Sequence, residues 1–126
     1  MLKNKNVTPI LAVKNLDRAK RFYEHTLELE VSPISEPGMF ACKSGDSSFL
    51  VYTSDFAGTN KANALVWDVG EELESIVGRL RSKDVVFEHY KGLPNTTIRG
   101  DIHLSGEMKL AWFKDPDGNI LHLHGR

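Results

Sequence analysis

The sequence predicts an α+β fold built from two modules of one order, a strand, a helix and then three strands. Three observations predict it. Apolar residues recur at helical spacing in two stretches, Leu16, Ala19, Phe22, Tyr23 and Leu27, then Leu73, Ile76, Val77 and Leu80. A short apolar run precedes each stretch, Val7 to Val13 and Ala62 to Val69. Strand-like runs cut by turn residues follow each one.

In chain order, Val7 to Val13 reads as a strand with Pro9 near its start, where a missing backbone donor is tolerated. Asn15 suits an N-cap, and a helix is expected near 16–27. Val31 to Ser35 can extend, with Pro33 keeping it at a sheet edge, and Pro37-Gly38 marks a turn. Met39 to Lys43 and Ser48 to Thr53 form a hairpin through Ser44-Gly45-Asp46-Ser47. A polar loop, Asp55 to Lys61, separates the modules. Ala62 to Val69 is the next strand, followed by a helix near 71–83. That helix starts acidic (Glu71, Glu72, Glu74) and ends basic (Arg79, Arg81, Lys83), as its dipole favours. Val85 to His89 reads as a strand and Lys91 to Gly106 as a long loop. Lys109 to Lys114 and Ile120 to His124 close the chain around Asp115-Pro116-Asp117-Gly118-Asn119, whose Pro and Gly suit a tight turn. The repeat lies in element order, since few residues match between the modules, about 6–55 and 62–126. No Pro-, Gly- or Ser-rich linker divides them, so one domain spanning 1–126 is expected.

Composition excludes several classes. The 126 residues are 40% hydrophobic and 26% charged, which fits neither a disordered nor a collagen-like chain. A net charge of −1 supplies no long-range field to draw nucleic acid or an acidic membrane. No stretch approaches the ~20 apolar residues of a membrane span, and no signal-peptide pattern is visible. Cys42 is the one cysteine, so no internal disulfide forms and a cytoplasmic setting is expected. Gly-x-Ser-x-Gly and a Gly-rich phosphate loop are both missing.

Histidine is the remaining source of chemistry. His122 and His124 stand two apart on a strand and share a face, and His103 could bring a third nitrogen to a metal. The commoner fate of such a pair is a solvated or hydrogen-bonded face. His25 falls late in the first helix and is expected to be exposed. Cys42, next to Lys43 on a strand, points away from that lysine and is expected to be a buried, inert thiol.

Three stretches together resemble the vicinal oxygen chelate superfamily, which includes glyoxalase I, extradiol dioxygenases, fosfomycin resistance enzymes and bleomycin-binding proteins. They are Ala12-Val13-Lys14-Asn15-Leu16-Asp17-Arg18-Ala19 with Phe22-Tyr23, then Phe56-Ala57-Gly58-Thr59-Asn60, then Ala111-Trp112-Phe113-Lys114-Asp115-Pro116-Asp117-Gly118-Asn119. The resemblance implies curved, mostly antiparallel sheets with a ligand in their concavity. It also implies where the metal-dependent members place three ligands, and in this chain those positions hold Thr8, Ala64 and His122. Alanine has no donor and a neutral threonine hydroxyl is a poor ligand, so no metal or other cofactor is expected there.

Strand alternation from those positions places Thr8, Ile10, Ala64, Val66, Leu110, Trp112, Ile120 and His122 on the concave face. Leu11, Val13, Leu65, Trp67, Val69, Leu121 and Leu123 then face the helices. An apolar concavity with one imidazole, one hydroxyl and one indole suits a small-molecule pocket, and equally an interface with a second copy. Two functions follow from the resemblance. One is a metal-independent binding protein of the bleomycin-resistance type that holds an aromatic or amphipathic small molecule against Trp112. The other is a glyoxalase-like lyase or isomerase with His122 as general acid or base. The expected partners are a small-molecule ligand and a second copy in a homodimer, because short sheets leave edges unprotected.

Overall fold

The computed structural model describes all 126 residues, which form two compact units, Met1–Gly58 and Thr59–Arg126. Both sheets are mixed and open, and the α+β class read from the sequence is the one observed.

In the first unit β1 (Ile10–Val13) leads into α1 (Leu16–Arg21), followed by β2 (Glu30–Pro33), β3 (Met39–Ser44) and β4 (Ser47–Thr53). Asn15 caps α1 by accepting from the Arg18 N–H at 2.9 Å. The stretch read as one helix over 16–27 changes character at Phe22, where a π-helical turn runs to Thr26 and the Leu27 N–H reaches the Phe22 carbonyl. The strand order is β1-β4-β3-β2, with β1 parallel to β4 and the other pairs antiparallel. Leu11, Val13, Phe40, Cys42, Phe49 and Val51 are buried on one face, and the ring of Tyr23, fully buried, meets Phe49 edge-on at 5.7 Å. Burial pushes the Cys42 thiol up to about 12, so the inert reading of this cysteine holds.

The second unit contains β5 (Asn63–Gly70), α2 (Leu73–Ser82), β6 (Phe87–Glu88), β7 (Thr97–Arg99), β8 (Ile102–Ser105), β9 (Met108–Lys114) and β10 (Ile120–Gly125). The order is β5-β10-β9-β8-β7, with β6 also paired to β9, and β5 runs parallel to β10. The segment read as a loop over Lys91 to Gly106 therefore contains a hairpin, and five strands follow α2 where the sequence reading has three. Gly100 takes φ +64° at the turn, where Arg99 pairs with Ile102.

The core of this unit is Leu73, Val77 and Leu80 of α2 against Phe87, Ala111, Phe113, Leu121 and Leu123. Complete burial of Phe113 and Leu121 contributes roughly 1.5–3 kcal/mol each. Leu65, Trp67 and Val69, expected in the core, are half-buried, because β5 is the outermost strand and has one neighbour only. At the end of β10 a Cβ on Gly125 would run into the Gly70 carbonyl and Leu73, so glycine is what lets α2 start against the sheet.

Asp115 to Asn119 closes β9 onto β10 in the expected antiparallel register, with Ile120 opposite Lys114 and His122 opposite Trp112. One carboxylate organises the turn. Asp115 Oδ1 accepts from the Asp117 and Asn119 N–H groups at 2.9 Å, and Oδ2 accepts from Asn119 Nδ2 at 2.8 Å. Gly118 supplies the left-handed residue with φ +91°.

Candidate functional site

On the face of the second sheet opposite α2, four rings are packed in one pile. The Trp112 indole lies flat on the His122 imidazole, with centroids 4.4 Å apart and planes 13° apart. His103 meets the indole edge-on at 4.8 Å and Tyr90 does so at 5.2 Å. Register explains the grouping. Trp112 faces His122 on β10 and Glu88 on β6, and His103 faces Leu110, two residues from Trp112 on the same side. Val66 lies beside His122 on β5 and is 61% exposed, so the pile has an open apolar flank.

Hydrogen bonds fix the protons on both histidines. The Tyr90 N–H can only donate, so His103 Nε2 accepts at 2.9 Å and its proton sits on Nδ1. The Ala111 carbonyl can only accept, so His122 Nδ1–H donates at 3.1 Å and Nε2 keeps its lone pair. Burial lowers the pKa of both. For His103 the nearby His89 lowers it further, while the Leu110 backbone pulls the other way without completing a hydrogen bond to Nδ1. For His122 the Ala111 carbonyl opposes burial, and His124 and His103 add to it. Both rings are held neutral in the folded protein at pH 7.

This has a consequence in acid. Both folded pKa values lie below the ordinary 6.5, so the unfolded chain binds more protons below that pH. Stability from these two groups is complete above pH 6.5 and declines as the pH falls toward the folded values. The urea midpoint is expected to drop between about pH 6.5 and 5.5, before the depressed carboxylates titrate, and His122→Gln should flatten part of that slope. A midpoint constant over this interval in the native protein would contradict the assignment.

Two groups lie beside the pile. Asp101, in the turn after β7, accepts from Arg81 of α2 (Nη2 at 2.8 Å) and pairs with His89 Nε2 at 2.9 Å. The His89 hydrogen bond, with Arg81, holds the Asp101 carboxyl below its usual value. Lys114 pairs with Glu88 at 3.0 Å.

Of the residues expected on the concave face, Ala64, Val66, Leu110, Trp112, Ile120 and His122 fall on one sheet, and the last four are linked by the register of β9 and β10. Ile10 lies on β1 of the first unit and is 54% exposed. Thr8 departs from expectation: β1 starts at Ile10, and Thr8 is exposed ahead of the strand, before Pro9, whose carbonyl accepts from Leu50. The proposed grouping of His103 with His122 and His124 around a metal is not formed. His103 Nε2 is engaged by Tyr90, and no group of three or more His, Cys, Asp or Glu side chains is arranged to hold an ion.

The residues missed by sequence reasoning are Tyr90 and Asn63. Asn63 Oδ1 accepts the Trp112 indole N–H at 3.1 Å. Strict alternation puts Asn63 and Ala64 on opposite faces, but a register shift between Ile120 and Leu121 breaks the alternation there. Tyr90 lies two residues beyond Glu88, the same spacing that places Lys114 with Trp112.

The fold of the vicinal oxygen chelate proteins implies a metal at the positions of Thr8, Ala64 and His122. The donors do not fit one: a methyl group, an exposed hydroxyl outside any strand and a single imidazole cannot form a coordination set.

No protein-family model matches the chain, and no curated protein matches its sequence. Solved structures do match over nearly its full length. The fosfomycin resistance protein FosX from Listeria monocytogenes superposes with a TM-score of 0.74 at 16% identity, covering 98% of this chain and 93% of that one. The virulence protein STM3117 from Salmonella typhimurium gives 0.71 at 15% identity, covering 99% and 98%. FosX from Mesorhizobium loti gives 0.68 at 13% identity, covering 98% and 92%. At these identities the likeness is one of fold, and that fold is the vicinal oxygen chelate one expected from the sequence.

Proposed function

We propose that this chain is a cytosolic small-molecule-binding protein of the glyoxalase and bleomycin-resistance type that works without the metal of that fold. The observation that carries the reading is the Trp112–His122 stack, 4.4 Å apart on the sheet face away from α2 and flanked by exposed Val66. A flat ligand lying against Val66 and the rim of this stack would meet an apolar surface and one hydrogen-bond acceptor, His122 Nε2. Similarity in fold to fosfomycin resistance proteins supports the reading, as does the mixture of apolar and few polar groups on the face. Pairing of two copies belongs to the same reading, because each sheet ends on strands with a single neighbour.

A second reading has one observation in its favour. The Ala111 carbonyl fixes the His122 proton on Nδ1, which leaves Nε2 ready to take a proton from a substrate held on this face. In that case the chain is a glyoxalase-like lyase or isomerase, and His122 is its acid/base.

Calorimetric titration with flat, oxygen-bearing aromatic fragments, 4-hydroxyacetophenone among them, tests the binding reading. Affinity is expected to be highest near neutral pH and to fall as His122 takes up a proton below pH 6.5, because protonation removes the acceptor. His122→Ala should give weaker binding with a flat pH profile. Binding that is equally pH-dependent in His122→Ala would place the ligand elsewhere.

A further inference from the structure

Asn63 opens β5 at a place where the register with β10 slips. It pairs with Ile120, and the next pair is Leu65 with Leu121, so Ala64 is an extra residue with no counterpart. A bulge of this kind re-aims the side chain beside it. Under strict alternation Asn63 would share a side with Leu65 and Trp67, away from Val66. Instead its carboxamide meets the Trp112 indole over β10, the strand between β5 and β9, and accepts the indole N–H at 3.1 Å.

That bond also fixes which end of the amide is left over. An indole N–H can only donate, so Oδ1 faces it and Nδ2 is turned away from the ring. Neither Nδ2 hydrogen is taken up by a protein acceptor. Asn63 is exposed, so a ligand can reach it, and its bond to the indole holds it at the edge of the Trp112–His122 stack. The amide is thus a donor whose orientation is set before any ligand arrives, which lowers the ordering cost of using it. The same face presents His122 Nε2 as an acceptor and exposed Val66 as an apolar surface.

We propose that Asn63 is a specificity-determining residue of this face, whose Nδ2 donates to a carbonyl oxygen of a flat ligand that also carries a hydroxyl or N–H for His122 Nε2. The inference rests on the reading of the face as a ligand site and adds to it a second point of recognition and the ligand's donor–acceptor pair. One side chain then has two functions: its oxygen holds the indole, and its nitrogen reads the ligand.

Asn63→Asp separates the two functions, because the carboxylate keeps an acceptor for the indole and has no N–H to give. Calorimetry at pH 8 keeps His122 neutral beside the new charge. Affinity for acetophenone and for 4-hydroxyacetophenone should then fall about tenfold. 4-Ethylphenol, which has the hydroxyl and no carbonyl, should bind both proteins alike. Asn63→Ala, which removes both functions, should weaken all three. In the parent protein, acetophenone should shift the Asn63 side-chain amide resonances, whereas 4-ethylphenol should move those of His122 and leave the amide in place. Unchanged ketone affinity in Asn63→Asp, or an Asn63 amide that does not respond to acetophenone, would overturn the proposal while leaving the face a binding site. An equal loss for 4-ethylphenol in Asn63→Asp would show that Asn63 acts only through Trp112, and would overturn it too. Failure of all three aromatics to bind the parent protein would instead remove the underlying reading, and the proposal with it.

Discussion

Asp115→Ala is expected to destabilise the protein by roughly 3–5 kcal/mol, because its carboxylate satisfies three donors of the β9–β10 turn, beside the two backbone bonds, Asp115 N–H to the Asn119 carbonyl and Gly118 N–H to the Asp115 carbonyl, that also close it. Its carboxylate is 4% exposed and accepts three hydrogen bonds, two of them from Asn119, itself 5% exposed. Alanine strands those donors where water cannot reach them freely, and each stranded donor costs about 1–3 kcal/mol. Since domains of this size are stable by about 5–15 kcal/mol, the loss is a large share of the total. Asp115→Asn keeps one carbonyl acceptor and should lose less. Urea denaturation monitored by circular dichroism measures both, and an Asp115→Ala midpoint equal to the parent's would refute this account of the turn.

Trp112→Ala should cost roughly 3–5 kcal/mol, the range for deleting a buried aromatic ring. The indole is 8% exposed and is the common neighbour of His122, His103 and Tyr90, while its N–H holds Asn63. Its removal takes away the shared contact of side chains from β5, β8 and β10 and of Tyr90 beyond β6, so the near-ultraviolet circular dichroism of the remaining aromatics should collapse along with fragment binding at every pH. Trp112→Phe retains a ring and should recover most of the stability, though not the bond to Asn63. A Trp112→Ala protein of parental stability would mean that the pile is decoration on a sheet held by its other face.

The elements most legible in the sequence are those with strong local chemistry. Asn15 as a cap, the Pro-Gly punctuation and the Asp115–Asn119 turn were each readable from a few residues, and the turn by itself sets His122 opposite Trp112. What failed has identifiable causes. The β7–β8 hairpin has three residues in one strand and four in the other, too short for alternation to emerge, although Gly100-Asp101 between Ile98-Arg99 and Ile102-His103 is a recognisable two-residue turn signal. As a loop residue His103 is available to a metal; on β8 it is fully buried and its Nε2 accepts from a backbone N–H. The apolar run Val7 to Val13 puts Thr8 on the first strand, but pairing with β4 begins only at Ile10. Asn63 escaped notice because a register shift undoes the alternation used to sort faces. Local patterning thus located the strands that bear the site, and long-range register decided which side chains meet on it.

The most direct measurement of the central claim is a map of amide and imidazole chemical shifts during titration with 4-hydroxyacetophenone. Binding on the proposed face predicts that the largest changes fall on Val66, Tyr90, the Trp112 indole N–H and the His122 ring, with Leu73, Val77 and Leu121 on the opposite side unmoved. Changes concentrated on the α2 side, or a response that leaves the Trp112 and His122 signals in place, would contradict it.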